Sequence, residues 1–251
     1  MSPADTVPDP RIVLFSDWHL PPEAGAQTEF FVRFVEQVCR DAAGVFVLGD
    51  LFRAWVGPKH AARTGHATVL EALGGLVRSG TPVTLLRGNR DFLLDRGSVR
   101  RFGITLAGNT WRGDLNGKAA RLSHGDELCE DDRLHKCLRV ITANPPVSTL
   151  VKWMPLRAAD GLAEFYRGLS DRRRARRKTR KLRPDESQIR AQFRAGVDLL
   201  VIGHWHEPCL ETDALGLPGK TFVMLGEGTE TGASYAEILG ETIQLKTFPG
   251  P

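Results

Sequence analysis

Four stretches of the chain each hold a short apolar run that ends in a polar residue. They are RIVLFSD (11–17), GVFVLGD (44–50), PVTLLRGN (82–89) and VDLLVIGH (197–204). Unbroken runs rich in Val, Ile and Leu predict strands covered on both faces. Between the first three lie segments with helical spacing. One is 28–42, where Phe30, Phe31, Phe34, Val35 and Val38 fall on one side; another is 61–80, closed by Gly80. Strand and helix in alternation predict a largely parallel sheet with helices on its faces. The pattern changes after about residue 102. Residues 105–125 predict strands joined by a turn at Asn116-Gly117, and 220–248 predict antiparallel strands with glycine-rich turns. From 132 to 185 the chain is mostly helical in pattern, broken at Pro145-Pro146 and ended at Arg183-Pro184. We read 133–185 as a helical insertion, or lid, within a single domain spanning 1–251. No internal repeat is visible.

Composition narrows the class. The 251 residues are 41% hydrophobic and 25% charged, which suits a core that needs no disulfide staples. The opening MSPADTVPDP carries prolines and acids where a signal peptide needs an apolar stretch, and no run is long enough to cross a bilayer. The four cysteines are scattered without a C-x-x-C pair, so reduced thiols and a cytoplasmic setting are expected. The net charge of +4 is unevenly spread, because 172–181 (RRRARRKTRK) holds eight basic residues and no acid. A run of this kind is most often a solvated helix face, yet it also suits anionic company such as nucleic acid, phospholipid or a phosphorylated substrate.

The strand ends carry the chemistry. Asp17 and His19 follow the first strand, Asp50 the second, and Asn89, Arg90 and Asp91 the third. His124 follows the run ARLS, and His204 and His206 follow LLVIG. Taken singly, each has an ordinary reading as a loop histidine, a helix N-cap or a turn residue. Taken together, five strand ends deliver carboxylates, an amide and imidazoles to one rim, where open α/β sheets place their sites. Asp and His suit divalent ions such as Mn, Fe, Co or Zn, and the lack of cysteine argues against structural zinc. Asp17-x-His19 and His204-x-His206 are expected to share faces of extended segments, each pair serving a site. Two ions about 3.5–4 Å apart need a carboxylate between them.

In order along the chain, DWH, GD, GNRD, HGD and GHWH resemble the signature of the calcineurin-like metallophosphoesterases. The resemblance implies a β-sandwich flanked by helices, an αββα arrangement of the α/β class. It implies Asp17, His19, Asp50 and His206 at one metal and Asp50, Asn89, His124 and His204 at the other, with Asp50 bridging. Manganese is the metal it implies. GDLFRAWVG, GNRDFLL, HGDELCEDD and the basic helical insertion are similar to the UDP-2,3-diacylglucosamine pyrophosphatases of lipid A biosynthesis. That likeness implies a peripheral enzyme at the cytoplasmic face of the inner membrane, cleaving a nucleotide-linked diacyl sugar to UMP and a lipid monophosphate. It places Asn89, Arg90 and His124 in catalysis, and Arg90, Asp132, Arg167, Ser170, Arg174 and Arg177 against substrate. An arginine at position 90 is suited to holding phosphate through two parallel hydrogen bonds. Leu150, Val151, Trp153, Met154, Leu156, Leu162, Phe165, Tyr166 and Leu169 give the insertion apolar content for acyl chains, or for docking on the core. The chain departs from the family's pattern in having Trp18 and Trp205 inside the metal motifs and PKH after WVG. Two other readings stand beside this one. One is a related phosphoesterase acting on another nucleotide diphosphate or phosphodiester. The other is a metal-free scaffold or nucleic-acid binder built on 172–181. That run lacks the interleaved aromatics that stack on bases, so no nucleic acid is expected, and no protein partner is inferred.

Overall fold

The computed structural model describes residues 10–128, 154–155, 157–162, 164–165, 168 and 183–250. Two sheets face each other. In the first, β1 (Arg11–Phe15), β2 (Gly44–Leu48), β3 (Val83–Leu86) and β4 (Thr105–Gly108) run parallel, and β11 (Gly232–Leu239) lies antiparallel against β1. Strands β10 (Gly228–Thr229) and β12 (Thr242–Pro249) both pair with β11. The second sheet has the order β5 (Thr110–Leu115), β6 (Lys118–Ser123), β7 (Leu199–His206), β9 (Thr221–Gly226), β8 (Cys209–Thr212). Its three central strands are parallel, and β5 and β8 are antiparallel edges.

The period-two geometry of the strands explains why their runs read as continuously apolar. In β1, Val13 and Phe15 face helices α1 (Ala26–Phe34) and α2 (Thr64–Arg78), while Ile12 and Leu14 face the other sheet. In β2, Val45 and Val47 take the helical side, and Phe46 and Leu48 the inner side. In β7, Leu199 and Val201 point inward, and Leu200 and Ile202 pack against Ile189 and Phe193 of α4 (Glu186–Arg194). Both faces of each sheet are therefore covered, giving the expected order of helices, sheet, sheet and helix. Helix α1 continues as a wider π turn over Val35–Cys39, and a short α3 (Arg96–Arg100) is capped by Asp95.

The predicted hairpin is present: β5 and β6 join through Asn116 and Gly117, whose φ angles of 51° and 83° are those of a two-residue turn matched to strand twist. The tail differs from expectation. Strand β9 pairs parallel with β7 and antiparallel only with the edge strand β8. All six of its residues are buried, as in a central strand, and residue order alone does not say which neighbour it takes. Within the insertion 133–185, residues 157–162 are helical and start just after Pro155, whose carbonyl accepts the Ala158 and Ala159 amides. Asp132, Arg167, Ser170, Arg174 and Arg177 lie outside the described residues. No helix among the described residues is long and apolar enough to cross a membrane.

Candidate metal centre

The carboxyl ends of β1, β2, β3, β6 and β7 meet on one rim between the two sheets. All seven side chains expected there are brought together: Asp17, His19, Asp50, Asn89, His124, His204 and His206. Ligand atoms of Asp17, His19 and His206 lie within 4.8 Å of one another, and so do those of Asp17, Asp50 and His124. Asn89 Oδ1 completes the second group, 2.8 Å from His124 Nε2 and 3.0 Å from His204 Nδ1. Asp50 spans both halves, with Oδ2 3.8 Å from His19 Nδ1 and Oδ1 3.6 Å from His124 Nε2. Arg90 reaches the same carboxylate, its Nε 3.6 Å from Asp50 Oδ2, and its own amide donates to Asp50 Oδ1 at 2.8 Å.

The route to this convergence differs from the extended-segment expectation. Asp17, His19, Asp50, His204 and His206 all have positive φ, between 50° and 74°. Non-glycine residues there carry strain of order 1–3 kcal/mol each, which is held only where surrounding structure fixes the backbone. The left-handed turns separate His204 from His206, which alternation would have kept together, while Asp17 and His19 stay in one group as expected. His204 turns to Asn89 and His124, whereas His206 turns to Asp17, with Nε2 3.3 Å from Oδ1, and stacks on His19. Two glycines make the approach possible. A Cβ on Gly88 would sit 2.1 Å from Asp50 Oδ1, and one on Gly203 would sit 2.5 Å from Asp17 Oδ2.

Hydrogen bonds from outside the cluster orient the rings. His124 Nδ1 meets the Leu48 carbonyl at 3.0 Å, so it is the donor and Nε2 is the nitrogen turned toward Asn89 and Asp50. His206 Nδ1 lies 2.6 Å from Glu227 Oε2, which likewise frees Nε2 to face Asp17. Carboxylate or carbonyl partners of this kind fix the tautomer of metal-binding histidines. Asp91 holds the loops: its carboxylate accepts the amides of Gly88 at 2.7 Å, Asp50 at 3.3 Å, Leu51 at 2.9 Å and Phe52 at 3.4 Å. Asp91 was expected at the rim without a role of its own, and Glu227 was not among the expected site residues. Glu227 carried the same signal as the others, a charged residue directly after a buried strand, here between Gly226 and Gly228.

The electrostatics ask for cations. Burial alone would raise Asp17, but the imidazoles of His206, His124 and His19 outweigh it and hold Asp17 well below the usual carboxylate range. Burial and the charge of Asp17 push Asp50 up, and burial with Asp50 raises Asp91 to about 6. Burial opposes charge on His206, yet Asp17 and Glu227 lift it to about 9; His124 is raised against its burial by Asp50 and Asp17. The carboxylates thus draw positive charge onto the ring nitrogens. Divalent ions would satisfy the same demand while leaving the imidazoles neutral. The donor set, oxygen and nitrogen without sulfur, fits such ions.

Residues 10–208 match the calcineurin-like phosphoesterase family, and the chain belongs to it. It is a hydrolytic enzyme of that family, whose members imply divalent metal ions. Among individual proteins it is similar to the UDP-2,3-diacylglucosamine hydrolase of Stenotrophomonas maltophilia (strain K279a), with 34% identity over 229 residues, 88% of this chain and 92% of the relative. It is also similar to the protein of the same name from Xanthomonas oryzae pv. oryzae (strain PXO99A), with 32% identity over 244 residues, 94% of this chain and 98% of the relative.

Proposed function

We propose that this enzyme hydrolyses the diphosphate of UDP-2,3-diacylglucosamine to UMP and 2,3-diacylglucosamine 1-phosphate, the reaction class of lipid A biosynthesis. The observation that carries the reading is the convergence of seven donor side chains from both sheets, with the carboxylate of Asp50 between the two halves. The substrate is supported by relatives of that name that align along nearly the whole chain. Asp17, His19, Asp50 and His206 hold one ion; Asp50, Asn89, His124 and His204 hold the other. Manganese is the proposed metal.

When bound, the two ions supply Lewis acidity toward phosphoryl oxygens and lower the pKa of the attacking water. In the reaction the water oxygen bonds to phosphorus, the bridging P–O bond breaks, and a proton passes to the departing phosphate. Asn89 and His124 act beside the phosphate being cleaved. Arg90 is fixed through its amide on Asp50 and offers a guanidinium to charge growing on phosphorus, a preorganised cation that needs no rearrangement as the bond breaks. Glu227 and Leu48 keep two imidazoles in the tautomer that ligation requires. Asp132, Arg167, Ser170, Arg174 and Arg177 are proposed substrate contacts, with Arg90. Leu162 and Phe165 are large apolar side chains left 40% and 72% exposed, which suits an enzyme working peripherally at the cytoplasmic face of the inner membrane on an acylated substrate.

Incubation with UDP-2,3-diacylglucosamine and manganese tests the proposal. Release of UMP and the sugar 1-phosphate in equal amounts is expected. No UMP, with cleavage of a simple aryl phosphodiester instead, would replace this substrate with another phosphoester.

A further inference from the structure

A second cluster of polar groups lies beside the metal rim and has no part in holding ions. Asp160, in the helical residues 157–162, is paired with the guanidinium of Arg63, and its Oδ1 lies 3.4 Å from His60 Nε2. His60 is only 2% exposed, and its Nδ1 accepts the Val56 amide at 3.2 Å. That bond leaves the ring's hydrogen on Nε2, the nitrogen on the Asp160 side of the ring, which is buried without a hydrogen bond of its own. Burial holds His60 below its ordinary pKa, consistent with a neutral ring in this tautomer. Lys59 Nζ adds a bond of 3.0 Å to the Met154 carbonyl. Beneath the polar contacts, Ala159 is 1% exposed and packs with Val56, Ala54, Leu93 and Met154. Residues 154–155 and 157–162 are therefore fastened to the loop after β2 by an ion pair, a lysine–carbonyl hydrogen bond and an apolar seam, with the buried His60 ring against Asp160.

That loop is also fastened to the metal centre. It starts at Asp50, and the Trp55 amide donates to the Arg90 carbonyl at 3.1 Å. Between it, the loop after His19 and the fastened segment lies a cavity of about 250 Å³ lined by Pro22, Glu23, Arg53, His60, Asp160 and Glu164, among others. Pro22 and Arg53 each lie three residues beyond His19 and Asp50. The volume is below that of pockets that swallow a whole drug-sized ligand, roughly 300–1,000 Å³, and fits one sugar-sized group. Its walls offer both carboxylates and guanidiniums, the mixture that hydrogen-bonds hydroxyl groups.

We propose that Arg63 and His60 are positioning residues: through Asp160 they set residues 157–162 and Glu164 as one wall of a subsite that takes the hydroxyl-bearing part of the substrate beyond the scissile phosphate. The substrate half of this rests on the function proposed above; the fastening does not. In Arg63→Ala and Asp160→Ala, KM for UDP-2,3-diacylglucosamine rises about tenfold while kcat stays within about threefold, the split expected when binding but not chemistry is lost. Two manganese ions per chain remain bound. Amide exchange at 157–162, read by mass spectrometry on the manganese-loaded protein, accelerates about tenfold, as for a segment whose local opening is eased. The exchanged pair Arg63→Asp with Asp160→Arg recovers KM and exchange toward wild type, which general damage to the fold would not allow. Unchanged KM and unchanged exchange in both single variants overturn the proposal, as does an exchanged pair no better than the singles. If the wild-type enzyme releases no UMP, the substrate reading fails by itself, and the exchange measurements still decide whether Arg63 and Asp160 hold the segment.

Discussion

Glu227 gives the sharpest test of how the site is built, because its carboxylate sits against His206 Nδ1 and it is not itself one of the seven proposed ligands. The 2.6 Å contact between His206 Nδ1 and Glu227 Oε2 is a charge-assisted hydrogen bond at a carboxylate whose side chain is 26% exposed. Bonds to charged groups contribute about 1.5–3 kcal/mol, and partial exposure places this one toward the lower figure. Loss of such a partner usually weakens metal binding about 10–100-fold, or about 1.4–2.7 kcal/mol at 1.36 kcal/mol per decade. The two estimates overlap. Glu227→Gln keeps the volume and an acceptor oxygen but removes the charge, so about tenfold weaker manganese binding is expected; Glu227→Ala removes both and should reach about 30–100-fold. Calorimetric titration of the metal-free protein would show the loss confined to one of two sites, the one with Asp17 and His19. Wild-type affinity at both sites in both variants would refute the idea that Glu227 orients His206.

Further outcomes follow from the same geometry. Arg90→Ala should cut kcat about 10²–10³-fold with manganese content unchanged, since it removes a preorganised cation and no ligand; kinetics like wild type would make Arg90 structural. Metal binding at pH 7 should release protons, because the His206 pKa is raised to about 9 without metal and Nε2 must be bare to ligate. Affinity then rises with pH up to about 9, and titrations in buffers of different ionisation enthalpy would expose a release of zero as a contradiction. By the same sign, the metal-free fold gains stability from His206 that is complete below its ordinary 6.5 and lost as pH rises through 9. Gly203→Ala should disable both folding and metal binding, because its Cβ would fall 2.4 Å from Ser16 Oγ and 2.5 Å from Asp17 Oδ2; a stable variant with two tight sites would show that β1 and β7 can part without harm.

Much of this was legible in the chain itself, for reasons that differ by element. Strands β1, β2, β3 and β7 are covered on both faces, so their apolar runs are uninterrupted and the polar residue that ends each marks the rim. The Asn116-Gly117 turn was legible because both positions need positive φ. The partner of β9 was not, since a central strand looks alike whichever neighbour it takes. The left-handed backbone at Asp17, His19, His204 and His206 was also hidden, because aspartate and histidine adopt it only when tertiary packing holds them there. Glu227 was overlooked although Gly226-Glu227-Gly228 follows a buried strand, because the run was read as a turn. Asp160 and Arg63 stand almost a hundred residues apart, and no spacing in the sequence joins them.

The central claim is that two cations sit among these seven side chains with Asp50 between them. Crystals grown with manganese, measured at its absorption edge, would test it most directly. The account predicts two anomalous peaks about 3.5–4 Å apart, one beside Asp17, His19 and His206 and one beside Asn89, His124 and His204, with Asp50 touching both. A single peak, or peaks away from Asp50, would contradict it.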